Sequence, residues 1–141
     1  RSMFVEMELP PDLLPVKMDV AQMQMVLSEL LRNASDSFEG QGRVRITCRK
    51  LEATSEELKD LPGIEPGWYV SLAVRDSGRG MDETTKSRAF EPFFTTKFPG
   101  RGLGLPAVYG VLKSHGGGIR LDSEPGMGTT ATVYLPAIGA S

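Results

Sequence analysis

The chain is predicted to fold as an α/β two-layer sandwich: a mixed, mainly antiparallel sheet covered on one face by helices. Three observations predict it. Residues 20–38 repeat their apolar side chains at steps of three and four, the helical period. Several shorter segments alternate every second residue, the strand period. The strands fall in adjacent pairs with short connections, which favour antiparallel partners over crossovers.

The elements follow in order. Met3 to Leu9 alternates loosely and is expected to be a first strand; Pro10, Pro11 and Pro15 then forbid regular structure. Asp19 is a good N-cap for an amphipathic helix over Val20–Phe38, whose Met23, Val26, Leu27, Leu30, Leu31, Ala34 and Phe38 make one stripe. Gly40 and Gly42 end it. From Arg43 to Leu51, Val44, Ile46 and Cys48 alternate with Arg43, Arg45, Thr47 and Arg49, a strand with one side wet. Ala53–Gly67, with two prolines and two glycines, reads as a surface excursion. Trp68–Val74 is the next strand. Ser77–Gly104 is loop-rich, with a short helix near Asp82–Phe90. Leu105–Ser114 is helical, Pro106 being tolerated in its first turn, and Gly116–Gly118 stop it. Ile119–Ser123 and Thr129–Leu135 are strands joined by a turn over residues 124–128.

Composition narrows the function. With 141 residues, the chain is one domain, large enough to bury a core without staples. The net charge of −2 argues against a nucleic-acid-binding or polybasic membrane surface. One cysteine, Cys48, excludes an internal disulfide framework, and one histidine, His115, excludes multi-histidine zinc sites. No apolar run approaches the roughly 20 residues of a membrane helix. A reducing, cytoplasmic setting is expected. Glycine is the informative excess: 16 residues, nine of them between Gly100 and Gly128.

Four constellations carry chemistry. On the long helix, Glu29, Asn33, Asp36 and Ser37 fall at i, i+4, i+7 and i+8 as one polar stripe. Oxygen donors of this kind suit a magnesium ion that keeps several waters, and a solvated face is the plain alternative. Next, an apolar strand runs into Asp76-Ser77-Gly78-Arg79-Gly80, where an aspartate at a strand end can accept from an exocyclic amine beside a closely approaching backbone. Then Phe90, Phe93 and Phe94 precede Thr95-Thr96-Lys97: aromatic anchors for a loop, followed by donors and a positive charge for phosphate. Last, Gly100-Arg101-Gly102-Leu103-Gly104-Leu105 opens directly into a helix, an anion site suited to a polyphosphate. It is neither a Rossmann fingerprint nor a Walker loop.

All four segments, in this order and over about Glu8 to Pro136, resemble the ATP-binding catalytic domain of bacterial sensor histidine kinases. The wider superfamily, with its Bergerat-type ATP-binding fold, includes gyrase B, heat-shock chaperone ATPases and mismatch-repair ATPases. The resemblance extends to the ending Gly126-Met127-Gly128-Thr129-Thr130. It implies that ATP and Mg²⁺ are bound, with Asn33 as the metal ligand. Asp76 is then expected to read the adenine amino group, Gly78 and Gly80 to shape the adenine pocket, and Thr130 to support a water near Asp76. Asp36 and Ser37 would flank the nucleotide. Lys97, Arg101, Gly102, Leu103, Gly104 and Leu105 would wrap the triphosphate, the glycine strap acting as a mobile lid. Glu29 is expected to orient or deprotonate the nucleophile, or to order the metal-bound water, and Lys97 is the other expected catalytic residue.

The implied reaction is transfer of the ATP γ-phosphoryl group to a histidine on a separate helical dimerisation and phosphoacceptor domain, and onward to a response regulator. His115, at a helix end, reads as a C-terminal cap rather than that acceptor. Residues 1–141 are therefore expected to be the catalytic domain of a longer protein, without membrane contact of their own and slow when separated from their acceptor. Two alternatives stay open: a stand-alone ATPase in which Glu29 activates water, and a degenerate nucleotide-binding regulator.

Overall fold

The computed structural model describes residues 2–90 and 104–138. The elements run β1 (Ser2–Glu8), α1 (Val20–Asp36), β2 (Gln41–Glu52), β3 (Trp68–Asp76), α2 (Glu83–Ser87), α3 (Gly104–Ser114), β4 (Gly118–Ser123) and β5 (Thr129–Pro136). The sheet order is β1-β2-β3-β5-β4. Among the described residues, only β1 and β2 pair in parallel, joined by the α1 crossover; the other strand pairs are antiparallel. The mixed two-layer architecture is the expected one.

Helix α1 begins where Asp19 accepts from the Gln22 N–H at 3.0 Å. It ends a residue or two earlier than its periodicity indicates: Ser37 is the C-cap, and its N–H turns back to the Ala34 carbonyl. Phe38 nevertheless stays buried beside Val26, Leu30 and Ala34. This stripe and Val108 and Leu112 of α3 cover one face of the sheet, against Val44, Ile46, Val74, Ala131 and Val133. Cys48 lies half-buried, and burial pushes its thiol above the ordinary value.

The 53–67 excursion lies at the surface as expected, with most of its residues exposed, but it also covers part of the sheet, so the far side of β2 is not wet along its whole length. Leu51 packs on the face opposite the helices with Leu58, Tyr69 and Tyr134, and Leu58 is 1% exposed. The physical reason is alternation: Val44 and Ile46 face the helices, so the odd-numbered Leu51 faces away and needs its own cover. The excursion supplies it. Glu57 accepts from the Tyr134 hydroxyl at 2.6 Å and from Arg49, and Lys113 donates to the Pro62 carbonyl. Burial pushes the Glu57 carboxyl up, but the bonds from Tyr134 and Arg49 outweigh it and hold the group below the usual range.

Two outcomes follow for stability. Leu58→Ala should destabilise the domain by about 2–4 kcal/mol in chemical denaturation, as for other buried leucines. Because the Glu57 pKa is lowered on folding, its contribution is present above the unfolded carboxylate pKa of about 4.3 and is lost as pH falls through the folded value. The stability gap between the parent and Glu57→Gln should therefore shrink when denaturation is repeated below about pH 4.

Candidate functional site

A cavity of about 390 Å³ opens between α1, the sheet and the start of α3. Leu30 and Ala34 of α1, Val74, Leu121 and Ala131 of the sheet, and Leu105 of α3 give it apolar walls. Polar groups enter at a few points: Asn33 and Ser37 from α1, Asp76 at the end of β3, Arg79, Asp82 and Thr85 from the following loop and α2, and Thr129 from β5. An apolar cavity with a few convergent polar groups suits a small organic ligand.

Asp76 is 7% exposed. Its Oδ1 accepts from the Gly78 N–H at 2.9 Å and the Thr129 N–H at 3.1 Å. These bonds compensate the burial of a carboxylate and fix its plane, leaving Oδ2 to carry the remaining accepting capacity. Gly80 has φ +72, and a Cβ there would sit 1.9 Å from the Glu124 carbonyl oxygen, so the loop and the 124–128 turn touch only because the side chain is absent. Gly78 lies equally close to Ser37, whose Oγ would be 2.0 Å from a Cβ. Ser37 Oγ itself donates to the Ala34 carbonyl at 2.7 Å, and the Ser37 carbonyl accepts from the Arg79 N–H at 2.9 Å. Asp82 caps α2; the Thr85 backbone N–H and hydroxyl hold its carboxyl below the ordinary value.

The polar stripe of α1 is divided. Successive i, i+4 residues drift by only about 40° around a helix, so Asn33 and Ser37 reach the cavity together. Asp36 lies about 60° back from Asn33 in the other direction and is not part of the lining. Its backbone carbonyl instead accepts from Arg79 Nη1 at 3.2 Å. Glu29 is not part of the lining either; it is 16% exposed and paired with Arg32 at 2.8 Å. A Cβ on Gly104 would be 2.6 Å from Glu29 Oε2, so the first residue of α3 abuts this carboxylate.

The placement of Thr130 is corrected. It lies across from Arg75 on the outer face, whereas Thr129 lines the cavity and bonds Asp76. The sequence held the signal: Ala131 and Val133 face the helices, and the strand period puts Thr129, not Thr130, on their side. Arg79, Met81, Asp82, Thr85 and Pro125 are further lining residues not singled out from sequence. Lys97, Arg101, Gly102 and Leu103, with Phe93, Phe94, Thr95, Thr96 and Gly100, lie outside the described residues. Phe90 is described and packs against Tyr109 of α3, ring centroids 5.5 Å apart. His115 Nδ1 is 2.8 Å from the Val111 carbonyl oxygen at the end of α3, a capping contact.

The Asn33 amide bears on a metal. Its Nδ2 is buried without a hydrogen-bond partner. Asn33 therefore brings to the cavity wall an amide with unspent hydrogen-bonding capacity at one end. Among the described residues no group of three or more His, Cys, Asp or Glu could form a metal cage. A single amide oxygen fits Mg²⁺, which is held by one or two protein ligands and otherwise by water and phosphate oxygens.

Comparison with known proteins gives the family. The sequence profile of the histidine kinase-, DNA gyrase B- and HSP90-like ATPases matches residues 18–138, and the chain belongs to that family. Within it, the chain is similar to sensor histidine kinases and to a histidine kinase catalytic domain. It is 40% identical over 132 residues to sensor kinase CckA of Brucella abortus, covering 90% of this chain and 14% of that protein. It is 32% identical over 129 residues to the signal transduction histidine-protein kinase AtoS of Escherichia coli, covering 92% of this chain and 19% of that protein. The chain thus spans less than a fifth of either relative. Among solved structures, the catalytic domain of histidine kinase ThkA in a nucleotide-free form superposes with a TM-score of 0.73 at 27% identity, over 96% of this chain and 79% of that one.

Gly80→Ala should destabilise the domain by roughly 1–3 kcal/mol or more, since it adds backbone strain to a clash with a carbonyl. Gly40 has the same φ of +72 with nothing near its missing Cβ, so Gly40→Ala should cost less. Denaturation midpoints of the two variants, measured side by side, check the difference.

Proposed function

We propose that this domain binds ATP with Mg²⁺ in the cavity beneath α1 and transfers the γ-phosphoryl group to a histidine imidazole on a helical dimerisation domain, from which a response regulator takes it. The observation that carries the reading is the buried Asp76 carboxylate, its Oδ1 held by two backbone N–H groups at the end of an apolar slot. Asp76 accepts from the adenine 6-amino group, and Leu30, Ala34, Val74 and Ala131 sandwich the base. Asn33 is the residue that would hold Mg²⁺, which when bound neutralises phosphate charge.

Of the groups near the phosphates, Glu29 is held by Arg32 beside the start of α3, in place to orient the incoming imidazole or take its proton. Lys97, Arg101, Gly102, Leu103 and Gly104 are assigned to the phosphates on sequence grounds. Attack by an imidazole nitrogen lone pair on the γ-phosphorus forms the P–N bond and breaks the bond to the bridging oxygen; ADP leaves and the imidazole gives up its proton. Positioning supplies most of the acceleration in transfers of this kind. No helix among the described residues is long and apolar enough to cross a membrane. We place the domain in the cytoplasm, where ATP and a response regulator are available.

Isothermal calorimetry tests the site. The parent should bind ATP with Mg²⁺, and Asp76→Asn should weaken binding by about 10- to 100-fold, the loss of a charged hydrogen bond. Asn33→Ala should remove the difference between titrations with and without Mg²⁺. Transfer of labelled phosphate from ATP to a supplied dimerisation domain tests the reaction; binding without transfer would reduce the reading to a nucleotide-binding module.

A further inference from the structure

Ser123, the last residue of β4, is 9% exposed and does not line the cavity. Its Oγ meets three groups: the Met81 N–H at 2.8 Å, the Gly128 carbonyl oxygen at 3.1 Å and Thr129 Oγ1 at 2.7 Å. A serine hydroxyl has one proton and two lone pairs. An N–H can only donate, so Ser123 accepts from Met81. A carbonyl can only accept, so the Ser123 proton goes to Gly128. The one capacity left is a lone pair, and the Thr129 hydroxyl must donate to it. All three contacts are hydrogen bonds in this arrangement and in no other.

The consequence falls on Thr129, which does line the cavity and whose N–H bonds Asp76 Oδ1. With its proton committed to Ser123, Thr129 Oγ1 keeps only lone pairs for any further partner. Asp76 also accepts. We propose that Ser123 is a positioning residue for base choice: by fixing Thr129 as an acceptor beside Asp76, it makes the site favour a 6-aminopurine over a 6-oxopurine. The proposal rests on the reading of this cavity as the base pocket. A 6-amino group in direct contact donates to such acceptors. A 6-oxo oxygen meets lone pairs and is buried unpaired, the kind of mismatch that discriminates strongly between ligands.

The test compares ATP with inosine triphosphate, its 6-oxo counterpart, by calorimetry with Mg²⁺. The parent should prefer ATP. Ser123→Ala releases the Thr129 hydroxyl to rotate and donate, so the ATP-to-inosine triphosphate affinity ratio should fall by about 5- to 10-fold. Ser123→Thr keeps the hydroxyl and should keep the ratio. Thr129→Val removes the acceptor without touching Met81 or Gly128 and should narrow the ratio as well; adding Ser123→Ala to it should narrow it no further. Equal weakening of both nucleotides in Ser123→Ala would mean a purely structural role and overturn the proposal. Should Ser123→Ala not fold, a parental ratio in Thr129→Val would overturn it equally. A parent that binds neither nucleotide would instead overturn the base-pocket reading on which the proposal stands.

Discussion

The Asp76 carboxylate, buried at the end of β3, is the constraint around which this molecule is arranged. A carboxylate out of water is tolerated only when its oxygens are met by donors. Here the donors are backbone N–H groups from two sides, Gly78 just after β3 and Thr129 at the start of β5. Meeting both draws the 77–82 loop, the 124–128 turn and the end of α1 into contact. That is why side chains are missing where the loop meets its neighbours: a Cβ at Gly78 would strike Ser37, and one at Gly80 would strike the Glu124 carbonyl. The resulting pocket is set by backbone geometry, which leaves its shape little dependent on side-chain rotamers.

Around that point the sheet works with both faces. One carries α1 and α3 and, between them and β3, the cavity. The other carries a smaller core under residues 53–67, in which Leu58 fills the space left by Leu51, Tyr69 and Tyr134. Glu57 and Lys113 fasten this cover to the sheet and to α3. Strands β3 and β5, which present Asp76 and Thr129, are thereby packed from both sides. Rigid support of this kind suits a site that depends on hydrogen-bond direction more than on reach.

Much of the fold was legible in the sequence because its signals are local. The α1 stripe, the Asp19 cap, the glycine stops and the alternation of β2 each depend on neighbours within a few residues. The excursion was not legible as a second core. Leu58, Leu61 and Ile64 stand three apart, but Pro62, Gly63, Pro66 and Gly67 break any helix that would use the spacing, and their burial depends on Tyr134, far along the chain. In the site, the residue types and their order were readable, and so was the likeness to histidine kinase catalytic domains, because Asn33, Asp76 and the glycines stand in short motifs. Which members of the α1 stripe enter the cavity was not. Helical drift carries Asn33 and Ser37 in and turns Asp36 out, and only the packing angle of α1 on the sheet decides where the division falls.

The sequence by itself determined the elements, the family and the chemical inventory of the site, since period, capping and motif spacing are properties of the chain read in one direction. Only the tertiary structure decided that Thr129 donates its backbone N–H to Asp76 and that Ser123 reaches across to hold its hydroxyl. The physical reason is that a hydrogen bond has direction as well as range. Whether a hydroxyl donates or accepts at a site is settled by every partner around it, and those partners come from segments that meet only when the sheet has closed.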